Sequence, residues 1–267
     1  MIQELQLTTN GNNIEALEVD GTFDDCQAMV KQAFLDEELN RKYNLTSANS
    51  INISRLIPQM FYYANTYARL KDRFQELTFV TPSGNFGNIA AGMMANTMGV
   101  PVKAFIAATN SNDIVPQYLQ TGVYTARPSV QTLANAMDVG DPSNFVRILD
   151  LYENDKAKLE QQFSAIAFND QQIKEAIKEV YQEKGYVMCP HTATGYLAVK
   201  AMAERTDSAH AYVILSTAHP CKFPDVFEEL NIPYDIPEEV KSLYHKERKQ
   251  IPMSNSFEDF KRFLLND

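Results

Sequence analysis

LTFVTPSGNFGNIAAGMMANTMG, residues 77–99, is the stretch whose reading decides the fold. Its first four residues are an apolar run rich in β-formers, which predicts a buried strand. Residues 81–87 then gather Pro, Ser, Asn and two Gly into a tight loop. From Asn88 the sequence turns Ala- and Met-rich, and Gly99 with Pro101 beyond it marks a helix end. Strand, small-residue loop and helix in that order leave backbone N–H groups free at the helix start. Orphan donors and the helix dipole together favour an anion there, phosphate above all. The loop SGNFGN is neither a Walker loop nor a dinucleotide fingerprint, and by spacing alone a glycine-rich chain reversal reads the same.

Working outward, residues 101–107 read as another strand, so two strand–helix steps follow one another. That argues for an α/β fold with a doubly wound parallel sheet. Ahead of the loop, Leu56, Met60, Tyr63, Tyr67 and Leu70 mark the apolar face of a long helix, preceded by a polar, aperiodic stretch at 46–55. Earlier still, residues 14–19 form a strand before the Asp20-Gly21 turn. Thr22 or Asp24 can cap a helix through about Asp36, with Cys26, Met29, Val30 and Phe34 on one face. Residues 1–7 show a helical pattern (Ile2, Leu5, Leu7) with no cap ahead of it, as though the chain began inside an element.

Beyond 107 the pattern loosens into Asn-, Asp-, Ser- and Pro-rich loops to residue 142, the kind of long irregular segment that usually covers a site. Helices are expected over 146–152, 155–163 and 170–184, a short strand at 185–188, a helix to about Arg205 and a strand over 210–215. The proline-punctuated tail reads as short helices and turns.

The chain has 267 residues, 45% of them hydrophobic and 22% charged, enough for a sizeable core. A formal charge of −10 opposes a nucleic-acid surface without excluding a local anion pocket. Cys26, Cys189 and Cys221 are odd in number and form no C-x-x-C pair, which fits a reducing cytoplasm better than a disulfide framework. No apolar run approaches the roughly 18 residues of a membrane span. The four histidines show no metal-ligand spacing, so no metal is expected.

In a parallel sheet, ligands bind beyond the carboxyl ends of the strands. Three loops should therefore converge: 83–88, 216–222 and 46–55. The first offers N–H donors for one phosphate. The second offers Ser216, Thr217, His219 and Lys222. The third offers Asn49, Ser50 and Arg55, a fork beside small polar side chains that suits a second anion. Each has a plainer reading: Asn49 and Ser50 as turn formers or caps, Arg55 in a surface ion pair, His191 and His219 as structural histidines.

SANSINISR, TPSGNFGN, AATNSND, ANAMDVGDPSNFVR, PHTATG and STAHPCKFP follow one another between residues 46 and 224. With DGTFDDCQ near the start, they make the sequence resemble the threonine synthases of the bacterial and fungal type. The resemblance implies the fold of pyridoxal-phosphate enzymes like the tryptophan synthase β subunit. It implies conversion of O-phospho-L-homoserine and water to L-threonine and phosphate. It divides the chain into a remnant of a smaller α/β domain, residues 1–50, and a large pyridoxal-phosphate-binding domain, 51–267. It assigns Ser83, Gly84, Asn85, Phe86, Gly87 and Asn88 to the cofactor phosphate, Thr217 to the pyridine nitrogen, and Asn49, Ser50 and Arg55 to the substrate phosphate. His191, Thr192 and Lys222 fall within matching motifs but receive no role.

The family's Schiff-base lysine, set in a Phe-Lys-Asp context, has no match here. Lys71-Asp72 ends an amphipathic helix, and Lys261 precedes Arg262. The expectation is a C-terminal part of such an enzyme with no catalytic residue of its own and little activity alone. An apolar surface left open would then lead to self-association. A related phospho-lyase, a non-catalytic phosphometabolite-binding module and a fragment with a collapsed pocket are the alternatives.

Overall fold

The computed structural model describes residues 13–202, 209–247 and 249–266. Its strands, β1 (Ala16–Asp20), β2 (Glu76–Pro82), β3 (Ala104–Thr109), β4 (Phe163–Ala167), β5 (His210–Ile214) and β6 (Gln250–Ser254), are paired in parallel throughout. The chain divides into two units, one holding residues up to Ser47 and from Asp235 onward, the other spanning Ala48–Tyr234. The residues from Asp235 onward thus group with the N-terminal unit. The reason is β6. Its residues pair with β1 from Ala16↔Gln250 to Asp20↔Ser254, so the C-terminal stretch completes the first unit's sheet.

In that smaller unit, Thr22 caps helix α1 (Phe23–Leu35) through a reciprocal pair with Asp25. The helix presents Met29 and Ala33 to the interior. Lys261 lies in the helix Phe257–Leu265 and pairs with Asp36 at 2.8 Å and Glu38 at 2.9 Å, a structural tie rather than a reactive amine. The expected opening helix lies outside the described residues.

The large unit is built on a four-stranded sheet in the order β4-β3-β2-β5. Side chains alternate across it, as a pleat requires. Leu77 and Phe79 of β2, with Phe105 and Ala107 of β3, join helices α2 (Leu56–Leu70), α3 (Gly87–Thr97) and α4 (Phe145–Leu151) in one buried cluster. Val80, Ile106 and Ala108 face the opposite way and meet α5 (Asp170–Lys184) and α6 (Pro190–Met202). Helices cover both faces, the doubly wound arrangement expected.

Two local readings need correcting. Residues 185–188 form no strand: Gly185 ends α5 in the left-handed conformation and an irregular segment leads into α6. Residues 163–167, read as the end of one helix and the run before the next, form edge strand β4. α6 is described as far as Met202, and its expected end near Arg205 lies outside the described residues.

A candidate phosphate-binding crevice

From β2 the chain moves through β3 to β4 on one side, then returns to lay β5 on the other. The order therefore reverses between β2 and β5, and the crevice of an open α/β sheet lies at such a switch point. Val80 pairs with Ile214, so Ser83 and Thr217 each follow three residues beyond that pair, at the carboxyl ends of adjacent strands.

The loop after β2 is pinned before it turns. The Ser83 N–H donates to the Ala108 carbonyl and its hydroxyl to the Thr81 carbonyl, both at 2.8 Å. Ser83 is buried, with both donors engaged by the sheet. Gly84 then passes a 3-10 turn at Asn135–Met137; a Cβ on Gly84 would lie 2.4 Å from the Met137 Cα. Only a residue without a side chain allows that approach.

Phe86 adopts a left-handed backbone with φ 59° at the start of α3. Its ring is buried edge-on against Phe145, 5.8 Å between centroids, which holds this uncommon conformation in place. No side chain caps α3. The N–H groups of Gly84, Asn85, Phe86, Gly87 and Asn88 find no acceptor among the described residues. A left-handed residue followed by a helical one turns successive N–H groups toward a common concavity, an anion-binding nest. The helix dipole adds positive potential at the same place. This cradle fits a phosphate ester of a cofactor.

The side chains of the loop serve a different purpose. Asn85 donates to Ser50 Oγ at 3.0 Å and accepts from the Ser143 N–H at 2.7 Å and the Ser143 hydroxyl at 2.9 Å. Asn88 Oδ1 accepts from the Tyr63 hydroxyl at 2.7 Å. Tyr63 is buried against the sheet, and desolvation raises its hydroxyl pKa well above the ordinary value. The asparagines hold the loop; the backbone is what remains for an anion.

Ser50 and Asn49 are thus brought to the loop. Ser50 Oγ accepts from both Asn85 and Asn144 at 3.0 Å and donates to Asn49 Oδ1 at 3.3 Å. A Cβ on Gly87 would meet the Ser50 Cβ at 3.2 Å, so the two segments are packed as well as bonded. Asn49 also accepts from the Ile51 N–H, the turn-forming role among its plainer readings. Arg55 is exposed at the end of the 3-10 turn Ile53–Arg55, and among the described residues no ion pair or side-chain hydrogen bond engages its guanidinium. Thr217 is exposed after β5.

His191, near the start of α6, is buried. Its ring bonds to the Ala134 backbone, packs edge-on against Phe223 at 4.9 Å between centroids, and leaves Nε2 without a partner. Burial first, with the nearby Lys222 charge adding to it, lowers its pKa to about 4. His219 caps the turn Pro220–Lys222 by accepting from the Cys221 N–H, its structural reading. Thr192 shares a 3.2 Å hydrogen bond with Ser216 and so ties α6 to the loop after β5. Lys71 is an exposed residue at the end of α2.

Three residues of this region went unassigned in the sequence reading: Ser143, Asn144 and Arg147. Asn144 is completely buried and donates to Ser50 Oγ and to the Asn85 carbonyl, both at 3.0 Å. Arg147 donates to the Ile51 carbonyl at 2.7 Å. The signal was a polar pair directly ahead of a helix, with an arginine three residues on, but nothing local shows that it faces residue 50.

Residues 3–217 match the family model described as pyridoxal-phosphate dependent enzyme. The chain belongs to that family. Residues 192–264 match a second model, that of the threonine synthase C-terminal region. A threonine synthase of Buchnera aphidicola from Schizaphis graminum is 37% identical over 268 residues, covering 99% of this chain and 61% of the relative. The crystal structure of threonine synthase from Escherichia coli superimposes with a TM-score of 0.90 at 38% identity, over 99% of this chain and 61% of that one. The pyridoxal-phosphate-bound threonine synthase from Brucella melitensis gives 0.85 at 31% identity, over 99% and 62%. The fold is therefore that of the pyridoxal-phosphate enzymes, and the family's cofactor is pyridoxal phosphate. The chain spans about three fifths of the length of these relatives.

Proposed function

We propose that this chain forms the phosphate-gripping crevice of a threonine synthase, an enzyme that converts O-phospho-L-homoserine and water to L-threonine and phosphate. The observation that carries the reading is the run of N–H groups from Gly84 to Asn88, without acceptors and bonded through Asn85 to Ser50. In this reading those N–H groups hold the cofactor phosphate. Pyridoxal phosphate, when bound, supplies the electron sink that such a reaction needs. Thr217, at the carboxyl end of the neighbouring strand, offers a neutral hydroxyl to the pyridine nitrogen. Asn49, Ser50 and Arg55 receive the phosphate of the substrate. Because Ser50 Oγ is already bonded to two amides, its part is to fix the turn, and Arg55 supplies mobile positive charge.

No lysine of this chain lies in the family's Schiff-base setting, so its residues bind and orient, and its activity alone is expected to be low. Ile57 and Phe61, one turn apart on α2, are 51% and 65% exposed, an apolar stripe that supports self-association with a second copy. The unpaired cysteines fit a reducing cytoplasm. The test is a titration with pyridoxal phosphate followed by tyrosine fluorescence. Saturable quenching is expected; no response overturns the reading.

A further inference from the structure

We infer that Arg147 is the second cation of the anion subsite at residues 49–51, and that its charge helps the crevice select a phosphorylated substrate. The inference rests on the reading of that subsite given above. Arg147 reaches the subsite from α4, donating through Nη2 to the Ile51 carbonyl at 2.7 Å. Its Nε is buried and has no hydrogen-bond partner. Among the described residues no carboxylate forms an ion pair with it. A part-buried cation with no counter-ion raises the positive potential of the turn it is bonded to, and an anion at that turn offsets the cost.

The neighbouring geometry favours the same assignment. Ser50 Oγ is saturated by Asn85, Asn144 and Asn49, so a phosphate group there needs donors other than that hydroxyl. Asn144, one turn before Arg147 on the same side of the helix start, fixes the Ser50 side of the turn while Arg147 fixes the Ile51 side. The cation is therefore held in register with the turn it serves.

The test titrates inorganic phosphate calorimetrically into the chain in excess pyridoxal phosphate, for wild type, Arg147→Gln, Arg147→Lys and Arg55→Gln. Glutamine removes the charge and, being shorter, gives up the bond to the Ile51 carbonyl, whereas lysine keeps the charge. Arg147→Gln is expected to weaken phosphate binding roughly ten- to hundredfold. Wild-type affinity in Arg147→Gln overturns the assignment. If that variant does not fold, Arg147→Lys decides: weakening of less than about tenfold upholds the role of charge, and complete loss overturns it. If wild type binds no phosphate, the parent reading falls with this one. If Arg55→Gln loses binding while Arg147→Gln keeps it, the subsite stands and only Arg147 is misassigned.

Discussion

The side-chain amide of Asn85 donates to the hydroxyl of Ser50 at 3.0 Å. That bond joins the loop after β2 to a turn 35 residues earlier, and Asn144 reinforces it from a third segment. Ser50→Ala would leave two amides without their acceptor. Destabilisation of about 1–3 kcal/mol is expected, measured by urea denaturation, together with weaker pyridoxal phosphate binding. Unchanged stability would show that the hydroxyl is not the junction.

Gly84→Ala tests the other side of the loop. The new Cβ would sit 2.4 Å from the Met137 Cα, a backbone atom that cannot swing aside, so one segment must shift. A loss of about 1–3 kcal/mol is expected, with a larger proportional loss in cofactor affinity than in stability. A variant as stable as wild type would mean that the 3-10 turn is free to move.

His191 predicts a pH dependence. Its folded pKa of about 4 lies below the ordinary 6.5, so the unfolded chain binds the extra proton between those values. Stability is then fully present above pH 6.5 and is lost as pH falls toward about 4. The upper limit of this contribution is roughly 3 kcal/mol. His191→Gln should flatten the stability–pH profile between those limits, read as thermal melts; an unchanged slope would assign the acid sensitivity to the carboxylates.

How much of this was legible in the sequence follows from what is local. The strand, loop and helix around residues 77–99 were readable because apolar runs, glycines and a terminating proline act within a few residues. So was α5, whose expected bounds match the helix Asp170–Lys184, with Asn169 and Gly185 as caps. β6 was not legible: Gln250–Ser254 carries a proline and exposed residues, and it becomes a strand only because β1 supplies a partner more than 200 residues away. The site divides the same way. Glycines and asparagines in the loop were visible, whereas the roles of Asn144 and Arg147 depend on packing that no spacing encodes. Ser83, expected to hold phosphate, turns both donors into the sheet because β3 offers it a carbonyl.

Thr217 offers a clean contrast with these buried residues. It is exposed, so Thr217→Ala should change stability by less than about 0.5 kcal/mol. Its effect should appear instead in the affinity and absorption spectrum of bound pyridoxal phosphate. Identical spectra and affinity would remove Thr217 from the site.

The central claim is that one crevice holds two anions, one on the N–H groups of residues 84–88 and one at the turn 49–51. A crystal structure of the chain soaked in pyridoxal phosphate and inorganic phosphate tests it most directly. The account predicts the cofactor phosphate within hydrogen-bond distance of the Gly84–Asn88 backbone and a second phosphate at the turn 49–51, beside Arg55 and Arg147. A cofactor bound elsewhere, with that backbone left facing water, would contradict it.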